Sequence, residues 1–222
     1  MKNLVLISSV IKTSSNPLSY INTRSIYSHE ERYEQTKKTI QSIKEKIPGA
    51  KIIMVECSNF RDDEIEYLQN NTDYFLNLYN DSEKKERIQS RSKSLGEGTM
   101  TFSALEFIMQ NNIEYDNLIK ISGRYWFSEK FNYEIFNNND IVVKYIDDND
   151  YNVFTALYKL PKYVIPDFKN FLENNYQKMV NCIGYENLFA NFLKEHKYVN
   201  IHVVNPIGLT GHLSVSNDFF EG

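Results

Sequence analysis

The chain of 222 residues has little of what marks loop-rich or disulfide-linked proteins. It contains only 8 glycines, 5 prolines and 2 cysteines. Scarce glycine and proline argue against collagen-like repeats and a loop-rich scaffold. Cys57 and Cys182 are too far apart in sequence to form a CxxC zinc motif. We therefore expect two reduced thiols and a cytoplasmic location.

An excess of positive charge and a long hydrophobic run are also missing. The formal net charge is -4 at pH 7, so no overall basic field exists to attract nucleic acid. No apolar run approaches the roughly 20 residues of a transmembrane helix. The beginning, MKNLVLISSVI, is broken by Ser8 and Ser9, so we expect a first buried strand rather than a signal peptide. The sequence predicts neither a nucleic-acid partner nor a transmembrane segment.

What is present is an alternation of short strands and helices, with 41% hydrophobic residues to fill a core. Strands are predicted at residues 4–11, 51–57, 74–78, 118–121, 141–146, 153–160 and 198–204. Helices are predicted at residues 28–46, 62–68, 99–111, 164–172 and 186–193. This order predicts an α/β fold with a mostly parallel, doubly wound central sheet flanked by helices.

Three further segments carry local signals. Ser28 and Glu31 form a capping-box pattern at the start of the first helix. The charged stretch 80–94 fits either a solvated loop or an exposed helix. Residues 93–98 are predicted to be a loop that enters the helix at 99–111, where a cation, a hydroxyl and a glycine suit an anion.

The stretch YDNLIKISGRYWFSEKF, residues 115–131, contains the clearest candidate site. A buried strand ends there on Ser122, Gly123 and Arg124, and Tyr125 follows. Glycine adopts backbone angles that other residues cannot, and arginine is a planar fork suited to phosphate or carboxylate. Ligands in open α/β sheets bind outside the carboxyl ends of strands. We therefore predict that Gly123, Arg124 and Tyr125 form the floor of a ligand site.

Other polar groups are predicted to meet at the same sheet edge. These candidates are the backbone at Ser8 and Val10, with Arg24, Glu56, Ser58, Lys93 and Gly96. A carboxylate suits a base or ribose hydroxyl, while Lys93 and Arg124 suit a diphosphate. No GxxxxGK[ST] loop occurs, which excludes an ATPase of that type, and Gly96-Glu97-Gly98 lacks the third glycine of a dinucleotide fingerprint.

Four segments carry a resemblance to a known family: RSIYSHEERYEQTKKTIQSI at 24–43, VECS at 55–58, KSLGE at 93–97 and KISGRY at 120–125. They resemble GT-A-type glycosyltransferases of large DNA viruses, some acting on capsid proteins, and of bacterial surface-polysaccharide loci. The resemblance covers roughly residues 4–131. It implies a GT-A fold and transfer of a sugar from a nucleotide sugar, UDP-glucose or UDP-rhamnose, to a glycan or glycoprotein acceptor.

The resemblance also implies how the chain is divided. We expect a single GT-A domain over residues 1–222, with a nucleotide-binding half at 1–125 and an acceptor half at 126–222. The sequence leaves open a longer polypeptide of which this is the first domain. For a viral protein, the cytoplasm would be that of the host.

One departure from the family concerns the metal. Most GT-A enzymes hold Mn or Mg against the diphosphate with an Asp-x-Asp motif, where this chain has Ser122-Gly123-Arg124. Two interpretations stay open. Arg124 supplies much of the metal's charge, or oxygen ligands elsewhere hold the ion. Candidates for the second are Asp81 and the acidic turn at 147–150, with the late His212.

The family also implies a catalytic base. Inverting members place an Asp or Glu at the start of a late helix, where Glu186 stands in this chain, and a helix amino terminus keeps a carboxylate ionised. We predict Glu186 and Arg124 as catalytic residues, and inversion or retention is left open.

Two alternatives to this function remain open. One is a sugar nucleotidyltransferase, which should carry a glycine-rich, Lys-containing loop after the first strand, whereas residues 8–15 contain no glycine. The other is a non-catalytic carbohydrate-binding or assembly module.

Overall fold

The computed structural model describes residues 1–195, 200–216 and 218–222. The strands are β1 (Asn3–Ser8), β2 (Lys51–Glu56), β3 (Tyr74–Asn77), β4 (Asn117–Ser122), β5 (Tyr125–Phe127), β6 (Ile141–Val143), β7 (Leu157–Pro161), β8 (Ile201–Val203), β9 (Leu209–His212) and β10 (Phe219–Glu221). The helices are α1 (His29–Lys46), α2 (Asp62–Asn71), α3 (Ser82–Gln89), α4 (Lys93–Gln110), α5 (Tyr133–Phe136), α6 (Ile165–Asn174), α7 (Tyr176–Val180) and α8 (Tyr185–Glu195).

Seven of these strands form one sheet in the order β3-β2-β1-β4-β7-β6-β8. β3, β2, β1 and β4 are parallel. β7 runs antiparallel to β4 and β6, while β6 and β8 are parallel. The predicted α/β fold with a mostly parallel sheet is therefore confirmed. Because β7 is reversed, its beginning lies beside the end of β4, and Ser122 N donates to Ala156 O at 2.9 Å.

Both faces of the sheet are covered, as the apolar strands predicted. In β1, Leu4 and Leu6 belong to one core cluster and Val5 and Ile7 to the other, and all four are fully buried. Helices α4, α6 and α8 contribute to the first cluster, and α1 and α2 to the second. A strand buried on both faces reads as a nearly continuous hydrophobic run, which is why β1, β2 and β4 were recognisable in the sequence.

A second, three-stranded sheet contains β10, β9 and β5, none of which the sequence predicted as strands. Hydroxyl groups of α1 fix the chain that enters it. Thr36 Oγ1 donates to Gly123 O at 2.9 Å, and Thr39 Oγ1 donates to Tyr125 O at 2.6 Å. Ser42 Oγ accepts from Phe127 N at 3.2 Å. One stripe of α1 thus holds every second residue from 123 to 127.

The helix starts test the local predictions. The capping box is confirmed: Glu31 N donates to Ser28 Oγ at 3.2 Å, and Ser28 N donates to Glu31 Oε2 at 2.7 Å. The predicted loop at 93–98 is wrong, because α4 begins at Lys93. Gly98 is helical where Met179 leaves no room for a Cβ, so its glycine marks close packing rather than a turn.

Two other predicted segments, 80–94 and 198–204, contain shorter elements in the structure. The charged stretch 80–94 contains the short helix α3 followed by the start of α4. Of the strand predicted at 198–204, residues 198 and 199 lie outside the described residues, and β8 covers Ile201–Val203.

Candidate functional site

A cavity of about 340 Å³ opens at the sheet edge where β1 and β4 end. The loop after β1, the start of α4, the start of α8 and the residues before β7 form its walls. The structure brings together nine of the predicted site residues there: Ser8, Val10, Arg24, Lys93, Gly96, Gly123, Arg124, Tyr125 and Glu186. A cavity at the carboxyl ends of parallel strands is the usual ligand position in such sheets.

The turn after β4 places Arg124 in the cavity wall. Gly123 N donates to Ser8 O at 3.0 Å. A Cβ on Gly123 would lie 2.7 Å from the Cβ of Ser9, so only glycine fits this approach. Arg124 Nη1 donates to His212 O at 2.7 Å, which orients the guanidinium. Burial lowers the pKa of Arg124, and this is opposed by Tyr125 and the charge of Glu97.

Arg32 adds a second guanidinium to the same cavity. Its side chain reaches back from α1, where Nε and Nη2 donate to Val10 O at 2.9 and 2.6 Å. Burial and, to a smaller extent, the nearby charge of Arg124 lower the pKa of Arg32 to about 9. Arg32 is not among the site residues predicted from the sequence. It lies four residues before Thr36, on the buried stripe of α1, and this spacing was the available signal.

Lys93 and Glu186 meet across the cavity from two helix starts. Lys93 Nζ lies 2.7 Å from Glu186 Oε1, and the side chains are 47% and 24% exposed. Burial alone would raise the pKa of Glu186, but the charge and hydrogen bond of Lys93 outweigh it and the pKa is lowered. Burial alone would likewise lower the pKa of Lys93, but Glu186 and Glu97 raise it. Both groups are therefore charged at neutral pH.

A buried ion pair that sequence reasoning missed lies beneath the cavity. Lys120, on the central strand β4, is 0% exposed. Its Nζ donates to Glu97 Oε1 at 2.8 Å, to Ser122 Oγ at 2.9 Å and to Thr155 O at 2.6 Å. Burial lowers the pKa of Lys120 despite Glu97. The lysine inside the apolar run LIKIS indicates such an ion pair, because an unpaired ammonium would not be buried there.

Three other predicted residues hold the loop after β1. Arg24 donates to the carbonyl oxygens of residues 88, 89 and 90 at the end of α3. Glu56 is fully buried and accepts from Ile11 N at 2.7 Å and from Cys57 N at 3.0 Å. Burial raises the pKa of Glu56 to about 7. Ser58 Oγ accepts from Lys12 N at 2.8 Å. Glu56 and Ser58, which we expected to contact the ligand, are thus not among the residues that line the cavity.

None of the predicted metal ligands is among the residues that line the cavity. Asp81 caps α3, where Oδ1 accepts from Lys84 N at 3.1 Å. The ring of His212 lies among three aromatic rings, those of Tyr27, Trp126 and Phe219, at centroid distances of 5.4, 5.7 and 5.3 Å. In the acidic turn, Asp147 accepts from backbone and side-chain nitrogens of the turn itself.

These positions do not fit a bound Mn or Mg ion. Within the described ranges, no three His, Cys, Asp or Glu side chains are grouped to hold a metal. The two carboxylates that line the cavity, Glu97 and Glu186, are each paired with a lysine. A hard divalent ion prefers unpaired oxygen ligands, whereas this cavity presents mainly cations.

No family model and no curated protein sequence matches the chain. Solved structures with the same fold do match. Core-mannan synthase A of Aspergillus fumigatus, in its Mn/GDP form, has a TM-score of 0.55 at 11% identity, covering 94% of this chain and 74% of that one. A nucleoside-diphosphate-sugar pyrophosphorylase of Vibrio cholerae RC9 has a TM-score of 0.54 at 11% identity, covering 94% of each chain.

A protein of Desulfovibrio desulfuricans G20, assigned as a nucleotide-diphospho-sugar transferase, has a TM-score of 0.51 at 8% identity, covering 92% of this chain and 80% of that one. Separately, none of the helices in the described residues is long and apolar enough to cross a membrane. Since the identities are low, the likenesses show the fold alone. The chain has the fold that nucleotide-sugar transferases share with sugar nucleotidyltransferases.

Proposed function

We propose that the chain is a glycosyltransferase that moves a sugar from a UDP-sugar, UDP-glucose or UDP-rhamnose, to a hydroxyl of a glycan or glycoprotein. The observation that carries this proposal is the convergence of Arg32, Arg124 and Lys93 on one cavity. The two guanidinium groups repel each other, and a bound diphosphate would relieve that repulsion. Bidentate contacts from arginine match phosphate geometry.

The cavity supports a direct displacement. The Glu186 carboxylate accepts the proton of the acceptor hydroxyl, whose oxygen forms a bond to the anomeric carbon. The glycosidic bond to the diphosphate breaks, and UDP leaves with its electron pair. Arg124 and Lys93 stabilise the negative charge that develops on the leaving group. The lowered pKa of Glu186 keeps this base ionised at neutral pH. This sequence of steps inverts the anomeric centre.

The donor-binding charges come from the chain itself. Because Glu97 and Glu186 are already paired with lysines, we expect UDP to bind in the presence of EDTA.

The resemblance of the sequence to GT-A-type glycosyltransferases leads us to propose a viral capsid protein or a bacterial polysaccharide as the acceptor class, and the cytoplasm as the location.

A sugar nucleotidyltransferase is the second candidate, and the fold shared with the Vibrio cholerae pyrophosphorylase favours it. Such an enzyme must hold a nucleoside triphosphate. The segment after β1 contains no glycine between residues 8 and 15, so it lacks the close backbone approach that a triphosphate loop needs. We therefore rank this function second.

One experiment separates the candidates. Thermal shifts would be measured with UDP, GDP, CMP and ADP, each with Mn and with EDTA. Release of UDP from UDP-glucose and UDP-rhamnose would then be compared with release of pyrophosphate from UTP and glucose 1-phosphate. A shift with UDP and release of UDP support sugar transfer. Pyrophosphate release favours the nucleotidyltransferase, and no shift with any nucleotide favours the binding module.

A further inference from the structure

The ion pair between Lys93 and Glu186 joins two groups that have different tasks in the proposed reaction. Lys93 is the first residue of α4, and Glu186 is the second residue of α8. Both line the cavity, and the 2.7 Å distance joins Lys93 Nζ to Glu186 Oε1. In the free protein, the lysine that would bind the diphosphate is therefore paired with the carboxylate that would act as the base.

Lys93 in the cavity wall and Lys120 beneath the cavity differ in their freedom to move. Lys120 is 0% exposed and donates three hydrogen bonds, so its position is fixed. The Lys93 side chain is 47% exposed and sits on a flexible four-carbon stem. Rotation about its side-chain bonds is enough to redirect the ammonium toward a ligand. Lys93 is thus the lysine suited to a change of partner.

A bound diphosphate would compete with Glu186 for this ammonium. The diphosphate carries more negative charge than one carboxylate, and Arg32 and Arg124 would hold it in the same cavity. Resting on the function proposed above, we infer that Lys93 changes partner during the reaction. It pairs with Glu186 in the free protein and turns to the diphosphate when the donor binds. The Glu186 carboxylate is then free to accept the hydroxyl proton of the acceptor.

The exchange also changes the strength of the base. Lys93 lowers the pKa of Glu186, whereas burial raises it. When Lys93 leaves, the effect of burial gains weight and the carboxylate becomes more basic. The other titratable groups that act on this pair are Glu97 on α4, Lys120 on β4, Tyr185 on α8 itself and Tyr20 in the loop after β1. Because Lys120 is fixed by three bonds, the exchange leaves its contribution in place.

The test is a double-mutant cycle on UDP affinity, measured by isothermal titration calorimetry in EDTA. Glu186→Gln should tighten UDP binding by about three- to fivefold, the scale of a partly exposed ion pair. Glu186→Ala should do the same. In a Lys93→Met background, Glu186→Gln should change the affinity by less than about 1.5-fold, because the coupling is gone. Glu195→Gln removes an exposed carboxylate at the other end of α8 and should leave the affinity unchanged.

A second readout is the pH profile of sugar transfer. In wild type, the acid limb of kcat at saturating donor should lie at higher pH than the acid limb of kcat/KM for the donor, because kcat reports the complex. In Lys93→Met the separation should be smaller, because only the negative charge of the donor still acts on Glu186. A purely structural ion pair would give the same separation in both proteins.

Three results would overturn the inference. The first is a UDP affinity that Glu186→Gln and Glu186→Ala leave unchanged or weaken. The second is a gain in UDP affinity from Glu186→Gln that persists in the Lys93→Met background. The third is a wild-type pH profile in which the acid limbs of kcat and kcat/KM coincide. Each of these, with UDP bound by the wild type, leaves the proposed function standing. Failure of the wild type to bind UDP at all would remove the proposed function and this inference together.

Discussion

At the scale of single residues, the cavity contains charges that do not serve stability. Arg32 and Arg124 face one cavity as like charges, and Lys120 is buried with Glu97. Burying ionised groups costs free energy that their attraction often fails to recover. Residues kept in such positions are candidates for binding and catalysis. Their arrangement supports an anionic ligand.

Arg124→Ala should abolish sugar transfer and leave the fold intact. The loss removes a donor aimed at developing charge, and we expect a decrease in kcat/KM of at least about 100-fold. Arg124→Lys keeps the charge without the planar fork and should recover only part of the activity. UDP release and the melting temperature would be measured for both variants. Activity near wild type in Arg124→Ala, at low and at saturating donor, would contradict the role.

Glu56 predicts a pH dependence of stability. Its pKa is about 7 in the folded protein and near 4.5 when unfolded. Below pH 4.5 both states are protonated and the contribution to stability is complete. As the pH rises to about 7, the unfolded chain releases its proton before the folded one, and about 3 kcal/mol is lost. Glu56→Gln cannot ionise and should not show this loss.

Urea unfolding of both proteins at pH 4.5 and 7.5 measures the effect. The free energy of unfolding of wild type minus that of Glu56→Gln should fall by about 3 kcal/mol over this range. Parallel profiles of the two proteins would show that Glu56 has an ordinary pKa.

At the scale of elements, α1 positions the turn that contains Arg124 through a stripe of three hydroxyl groups. Thr36, Thr39 and Ser42 bond to the backbone of residues 123, 125 and 127. These bonds set the direction of the chain after β4 and so the origin of the Arg124 side chain. An α1 position that only filled the core would carry an apolar residue instead.

Thr39→Val should therefore destabilise the protein. It keeps the shape of the side chain but leaves the buried Tyr125 O without the hydroxyl that donates to it, at a cost of about 1–3 kcal/mol. Thr39→Ser keeps the donor and removes one methyl group, which costs about 1 kcal/mol. We expect Thr39→Val to weaken UDP binding as well, whereas Thr39→Ser should not. Equal UDP affinities in the two variants would argue against a positioning role for this stripe.

At the scale of the whole molecule, the charges are unevenly distributed. The formal net charge is -4, but among the described residues four cations line the cavity at the strand ends, namely Arg24, Arg32, Lys93 and Arg124. A negative molecule with a local positive cavity attracts an anion at short range only, because salt screens longer distances. Recognition therefore depends on the cavity and not on the overall field.

Ionic strength tests this distribution. UDP affinity should fall by about three- to tenfold between 50 and 300 mM NaCl, because the diphosphate meets partly exposed cations. Uridine, which lacks phosphates, is the matched control and its affinity should stay constant. The affinities would be measured by calorimetry. A UDP affinity independent of salt would place the diphosphate outside this cavity.

The parts that could be predicted are those governed by local physical rules. Alternating apolar runs identified β1, β2 and β4, and Ser28 with Glu31 identified the start of α1. The turn at Gly123 and Arg124 was located because a buried strand stopped on a glycine and a cation. The loop predicted at 93–98 was wrong because α4 already begins at Lys93, and the close contact with Met179 explains why Gly98 lies inside this helix.

The sequence by itself determined the layered α/β fold and the residues that end its central strands, since periodicity and capping act over a few neighbours. Only the tertiary structure decided the partners of those residues. It paired Lys93 with Glu186 and Lys120 with Glu97, across separations of 93 and 23 residues, and it bonded the buried Glu56 to the backbone nitrogens of residues 11 and 57. Charges separated in sequence interact through space, so their pKa values and their roles depend on the folded sheet that brings them within a few ångströms.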